Sequence, residues 1–264
     1  MGMEKKVLES IKIATVAMAT LKITNKDKPF TILGSGFCIH PRGIVITCEH
    51  VLSAFMDKPL HKRIAEASEP GQESHLINIK TLIPHAIFYD TKRSSHKLFV
   101  FPVPMDVAIT KTNFDLGMIR LRTHPAFENG FPYLEVGDYS DIYEGMEVWT
   151  CGFPLGSHLQ KQLGTVTSSF TKGIISSIIP SPDAAQEHLK GFQLNLIATH
   201  GNSGGPVFSP ETGKVFGVLQ KGVRGQNGNF LQGITKAEPI YPIFEHNTLS
   251  RILEAPVGKI PSGD

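Results

Sequence analysis

Cysteine, tryptophan and long apolar runs are scarce in this 264-residue chain, which has three cysteines and one tryptophan. Cys38, Cys48 and Cys151 form an odd set that cannot close fully into pairs, which argues against a disulfide scaffold. So sparse a count fits a reducing compartment. No stretch approaches the ~18 uninterrupted apolar residues of a membrane helix, and no membrane partner is expected. The segment Met1–Lys6 is charged, Glu9 and Lys12 interrupt the apolar residues behind it, and no small-residue cleavage site follows. No secretory signal is read there, and the expected location is cytoplasmic. Charge of one sign is lacking too. Lys and Arg number 26 against 24 Asp and Glu, a scattered net +2 that removes the electrostatic case for nucleic acid. The 11 histidines are dispersed without an HxxxH pair or a Cys–His cluster, so neither a metal nor another cofactor is expected.

What is present suffices for a sizeable core: 41% of residues are hydrophobic and 19% charged, enough for one large domain or two compact halves. Short apolar or alternating runs recur between turns marked by Gly and Pro. In the first half they are Thr15–Ile23, Thr31–Ile39, Gly43–Thr47, His75–Ile83, Leu98–Val103, Asp106–Lys111 and Leu116–Leu121. The second half adds Glu147–Cys151, Thr165–Phe170, Gly173–Ile179, Phe192–Ile197, Val215–Leu219 and Asn229–Ile234. Many short strands at modest spacing predict an all-β sandwich or barrel. Long helical periods are missing, apart from a closing helix near Ile240–Leu253 that Pro239 and Pro242 suit as a start. A seam near Thr123–Pro132 divides the chain into two β halves. Met56–Ser74, charged and holding Pro59, Pro70 and Gly71, reads as an inserted surface loop.

The richest stretch is His200-Gly201-Asn202-Ser203-Gly204-Gly205-Pro206. Glycines let a backbone take left-handed angles and bring its amides close to a ligand. A serine hydroxyl held among such amides supplies a nucleophile and donors for the oxygen anion that its attack creates. Partners for it stand upstream. Thr47-Cys48-Glu49-His50-Val51-Leu52 follows the run Gly43–Thr47, with Gly34-Ser35-Gly36-Phe37 one strand earlier. Phe114-Asp115-Leu116-Gly117-Met118-Ile119-Arg120-Leu121 places an acid at the head of an apolar strand. Histidine, aspartate and serine thus follow one another in chain order.

With these motifs the chain resembles the trypsin-like, chymotrypsin-fold serine endopeptidases, most of all their HtrA-type branch. GSGFCIHPRGIVITCEHVL, DLGMIRL and GNSGGPVF carry the likeness, and VWTCGFPLG, GIISS and GKVFGVL support it, from about Ile11 to Ile240. The resemblance implies two six-stranded antiparallel β-barrels and a C-terminal helix within one domain, 1–264. The barrels would span about 11–122 and 132–238, with the helix at about 239–254. It implies that His50 is the base, Asp115 its orienting acid and Ser203 the nucleophile, with the Gly201 and Ser203 amides as the oxyanion hole. Histidine suits that task, since its ordinary pKa of about 6.5 is close to neutral. Protein or peptide substrates follow, and a homo-oligomer or regulatory protein partner is left open.

Some features depart from the family pattern. Asn202 stands where activated trypsins carry an aspartate that pairs with a newly cut N-terminus. A neutral amide cannot supply that countercharge, so activity without pro-segment cleavage is expected. By the same pattern Ile197, Ala198, Thr199 and His200 line one side of the primary specificity pocket, and Leu219 to Gly222 the other. No carboxylate lies in Ile197–His200 to offset a buried cation, so a small or medium apolar residue is expected at the cleaved bond. His200 and Lys221 stand near the rim. About 60 residues follow Ser203, too few for the PDZ domain usual in HtrA-type relatives. Cys48 is expected to be a buried thiol, not bridged to Cys38.

Two other readings compete. Gly201-Asn202-Ser203-Gly204-Gly205 also fits the G-x-S-x-G elbow of α/β-hydrolase esterases, whose acid and histidine follow the serine. Downstream stands only His246, with Glu238 and Glu245, and no strand–helix alternation. A protease-like binding or scaffold module is the non-enzymatic alternative. Asp106-Val107-Ala108-Ile109 also presents an acid heading a strand, but choosing it leaves a second strand unexplained, so Asp106 is read as a turn or strand-entry residue.

Overall fold

Two strands buried on every residue stand at the centre of the first barrel. β3 (Ile44–Cys48) and β6 (Leu116–Leu121) are built, Arg120 apart, mainly of apolar and β-branched residues that suit a pleat covered on both faces. They pair antiparallel between β2 (Phe30–His40) and β5 (Lys97–Lys111). β1 (Thr15–Lys22) and β4 (Leu82–Lys92) complete a closed barrel in the order β1-β2-β3-β6-β5-β4. A second closed barrel, β10-β11-β12-β9-β8-β7, uses β7 (Glu147–Gly152), β8 (Ser169–Ile179), β9 (Gly191–Asn195), β10 (Pro206–Phe208), β11 (Val215–Arg224) and β12 (Phe230–Pro239). Closure leaves neither sheet an open edge. The structure is a computed structural model describing residues 2–22, 30–55, 82–92, 97–163, 167–181, 189–224 and 230–255. The loop expected at Met56–Ser74 lies outside the described residues, as does most of the strand expected at His75–Ile83.

The main core runs from Phe37, Ile46, Phe88 and Met118 in the first barrel to Phe208, Val218, Ile243 and Ile252 in and beyond the second. A separate core of Val148, Ile175, Phe192, Leu194, Phe216 and Leu219 fills the second barrel. Phe37, Phe88, Phe153, Phe192 and Phe208 are fully buried, each contributing about 1.5–3 kcal/mol of transfer free energy.

Several elements differ from the sequence reading. Leu98–Val103 and Asp106–Lys111 are one strand, β5, so Asp106 is neither a turn nor a strand-entry residue. Its carboxylate is 3% exposed and accepts from Arg120 Nη2 at 2.7 Å. The N-terminal stretch is a helix, α1 (Gly2–Ala14), whose Ile11 and Ala14 are fully buried in the main core. Two short helices follow, α2 (Glu49–Ser53) and α3 (Gly156–Leu163). The closing helix is broken. A 3-10 segment, Tyr241–Asn247, takes left-handed angles at His246 and Asn247 before α4 (Thr248–Glu254) begins. Asparagine tolerates that region, which ends one helix and starts the next.

Candidate active site

Strand register brings His50 and Asp115 together. β3 and β6 pair with Cys48 opposite Leu116, so the residues just past that rung are neighbours. The Glu49 amide extends the ladder by donating to the Asp115 carbonyl at 3.0 Å. α2 then folds His50 over the acid. Its amide donates to Asp115 Oδ1 at 2.9 Å, and its Nδ1 lies 2.7 Å from Asp115 Oδ2. These bonds hold Asp115 at φ +48°, a strained angle for a non-glycine residue.

A further donor reaches the same carboxylate. Gln220 Nε2 bonds Asp115 Oδ2 at 2.9 Å. Gln220 sits where the β11–β12 register slips between Leu219 and Lys221, an irregularity of the kind that re-aims a side chain. Burial pushes the Asp115 carboxyl up, but hydrogen bonds from the His50 ring, the His50 amide and Gln220 outweigh it. The net value lies below the ordinary carboxylate range.

Ser203 comes from the other barrel, in the turn between β9 and β10. Ser35 of β2 staples that turn across the seam. Its amide donates to the Ser203 carbonyl at 2.7 Å, and its hydroxyl donates to the Gly201 carbonyl at 2.6 Å. The hydroxyl also accepts from the Phe153 amide at 3.0 Å, and Thr47 Oγ1 donates to the Ser35 carbonyl at 2.7 Å. Gly34 allows the close approach, because a Cβ there would sit 2.7 Å from Val51 and 3.0 Å from the Ser203 carbonyl. Val51 follows His50 directly, so the serine turn and the histidine helix meet at one spot. Among the described residues, the His50 ring hydrogen-bonds Asp115, and no hydrogen bond joins it to the Ser203 hydroxyl.

The amides around the serine are sorted by the turn. Those of Asn202, Gly204 and Gly205 donate to Thr199, Leu219 and Asn202 carbonyls at 3.1, 2.7 and 3.0 Å. Among the described residues, no protein acceptor engages the amides of Gly201 and Ser203. The His200 carbonyl accepts from the Leu155 amide at 2.6 Å. A trans peptide sets C=O and N–H on opposite sides, so this bond aims the Gly201 amide away from Leu155. Gly201 takes φ +97°, and a Cβ there would collide with the Phe153 carbonyl.

The expected pocket residues are spread in burial. Ile197 is 65% exposed, Ala198 is buried, and the Thr199 hydroxyl is buried without a partner among the described residues. The His200 side chain is exposed, and that of Lys221 lies outside the described residues. Gly222 is buried opposite Thr235. Leu219 is fully buried in the second core, so its side chain braces the barrel while its backbone bonds Gly204 and Gly205. The sequence assigned neither Ser35 nor Gln220 these bonds: Gln220 fell within the expected pocket wall Leu219 to Gly222, and Ser35 was quoted without a role. The GSG run around Ser35 was the one visible signal.

All three cysteines are buried and unbridged, Cys48 included. The expectation that no Cys–His cluster exists needs correction. Cys48, His50 and Asp115 each present a ligand atom within 4.8 Å of the other two, because the β3–β6 register adds Asp115 to a cysteine and a histidine two residues apart.

Residues 34–218 match the family model described as trypsin-like peptidase domain. Among curated proteins, a probable periplasmic serine endoprotease DegP-like from Rickettsia conorii is 31% identical over 188 residues, 70% of this chain and 28% of that protein. The protein of the same description from Rickettsia prowazekii is 30% identical over 220 residues, 83% of this chain and 33% of its own length. The chain thus spans about a third or less of these relatives. Among solved structures, an HtrA-type protease AlgW with tripeptide aligns over 95% of this chain and 64% of its own, with TM-score 0.58 and 17% identity. Deg5 aligns over 90% and 89%, with TM-score 0.57 and 15% identity.

The Rickettsia relatives overturn the cytoplasmic expectation, since both are described as periplasmic. Neither ground for that expectation carries weight. Two barrels with hydrophobic cores need no disulfide in either compartment, and Gly2–Ala14 is a helix whose Ile11 and Ala14 pack into the main core. The chain belongs to the trypsin-like peptidase domain family, and both Rickettsia relatives it matches are described as DegP-like serine endoproteases.

Proposed function

We propose that this chain is an endopeptidase that cuts protein substrates through an acyl-enzyme, with His50, Asp115 and Ser203 as its triad. The observation that carries the reading is the two-point clamp of His50 on Asp115, through ring nitrogen and amide at 2.7 and 2.9 Å. With Nδ1–H held on the carboxylate, Nε2 is the basic edge of the ring. Ser203 Oγ adds to the scissile carbonyl carbon as its proton passes to Nε2, and the ionised Asp115 stabilises the imidazolium. The carbonyl oxygen, now an anion, takes the Gly201 and Ser203 amides, each such donor being worth about 2.7–4 kcal/mol. The C–N bond breaks as His50 returns the proton to the leaving amine. Water then repeats the sequence on the ester and frees the acid.

The domain is read as residues 1–264, with barrels at about 11–122 and 132–238 and a closing segment at about 239–254. A small or medium apolar residue is the proposed preference at the cleaved bond. Ile197–His200 offers no carboxylate, and an unpaired cation there would lose its hydration without return. The periplasm is the proposed place of action, from the description of the two Rickettsia relatives.

Digestion of an unbiased peptide library by the chain and by Ser203→Ala tests activity and preference together. Cleavage after small or medium apolar residues, reduced about 10⁴–10⁶-fold by the substitution, is expected. Cleavage that persists in Ser203→Ala defeats the reading. Fluorophosphonate labelling at Ser203 separates an enzyme from a protease-like scaffold.

A further inference from the structure

Cys48 has no part in the proposed hydrolysis, yet it lies against the residues that do. It ends β3 fully buried, and its thiol donates to the Leu219 carbonyl at 3.3 Å. The other two thiols differ in company. Among the described residues, the one grouping of three Cys, His, Asp or Glu ligands is Cys48, His50 and Asp115, with ligand atoms within 4.8 Å of one another. Thiolate, imidazole and carboxylate together form a donor set that zinc and its softer congener cadmium favour, and that magnesium or calcium do not. Three protein ligands and a water make a tetrahedral site.

The geometry points to an inhibitory site for a thiophilic divalent cation, zinc or cadmium, formed by Cys48 Sγ, His50 Nδ1 and the Asp115 carboxylate. Tetrahedral coordination spaces such donors roughly 3.3–3.6 Å apart. His50 Nδ1 and Asp115 Oδ2 stand at 2.7 Å, so they open by about 0.6 Å while the sulfur closes in. The side chains of His50 and Asp115 are 42% and 16% exposed, so two of the three ligands border solvent.

On binding, the Cys48 S–H bond breaks and its proton leaves to water as the metal–sulfur bond forms. The His50 proton transfers from Nδ1 to Nε2, so the ring stays neutral while Nδ1 binds the metal. Asp115 gives one oxygen, and water fills the fourth position. No electron changes hands. A ring protonated at Nε2 cannot accept the Ser203 proton, and Asp115 no longer orients it, so hydrolysis stops. This last step rests on the proposed function; the binding itself does not.

Titration of Ser203→Ala with cadmium alone tests the site, read by thiolate-to-cadmium charge-transfer absorption in the ultraviolet. The band is expected to saturate at one equivalent and to vanish in the double variant with Cys48→Ser. The serine hydroxyl replaces the thiol as a donor for the Leu219 carbonyl, and circular dichroism checks the fold. In the active chain, zinc is expected to inhibit peptide cleavage reversibly, with EDTA restoring it, and at least tenfold more weakly in Cys48→Ser. No band in Ser203→Ala, an equal band in the double variant, or equal zinc inhibition of Cys48→Ser overturns the proposal. If the chain cleaves no peptide before metal is added, the hydrolytic reading fails, while the absorption still decides the site.

Discussion

Gln220 and His50 share one oxygen: Asp115 Oδ2 accepts the Gln220 amide at 2.9 Å and faces the His50 ring at 2.7 Å. The first barrel holds the acid and the histidine, and the second reaches across to steady them. Gln220 is therefore a positioning residue for the pair.

Gln220→Ala should leave the fold intact and lower kcat by about tenfold, the rate equivalent of one hydrogen bond to a charged group. KM should change little, because Gln220 acts through Asp115. Steady-state kinetics decide this. A change confined to KM would make Gln220 a substrate contact.

Gly201→Ala should be more damaging. Alanine resists φ +97°, and its Cβ would collide with the Phe153 carbonyl, so the His200–Gly201 peptide must rotate. Losing one oxyanion donor lowers kcat by about 10²–10³-fold. Single-turnover kinetics should show slow acylation with substrate binding retained.

Acid should weaken the domain through Asp115. Its folded pKa lies below the unfolded value of about 3.9, so the ionised form favours folding. That stabilisation is present above the unfolded value and disappears as pH falls through the depressed folded one. Asp115→Asn should be less stable than the parent chain at neutral pH, with the gap closing in acid. Urea unfolding at a series of pH values measures it, and a gap independent of pH would contradict the linkage.

Asp106 is a structural acid. Its removal leaves Arg120, 10% exposed at its side chain, without its carboxylate, although the Ile252 and Leu253 carbonyls still accept from it. Asp106→Ala should lose about 3 kcal/mol of unfolding free energy. Peptide cleavage by the folded fraction should be unchanged. Denaturant titration and active-site labelling together separate this from a catalytic role.

The barrels were legible because β3 and β6, buried throughout, read as apolar runs bounded by turns. The Ser203 motif was legible because its glycines tolerate what other residues do not. Val7, Ile11 and Ala14 recur at the helical spacing of α1, a short pattern that charged neighbours such as Glu9 and Lys12 obscure. β5 reads as two runs because Pro104 breaks its pattern after Val103, although Pro104 has a partner in β4, opposite His85.

The chain alone determined which residue types were available and their order: a histidine after one apolar strand, an aspartate before another, a serine among glycines. Only the folded molecule decided their company. Gln220 reaches Asp115 through a slip in strand register, Ser35 binds the serine turn across the seam, and Asp115 joins Cys48 and His50 because β3 and β6 pair rung by rung. Hydrogen bonds between residues 65 to 168 positions apart depend on how two barrels close and dock, and no local pattern encodes that.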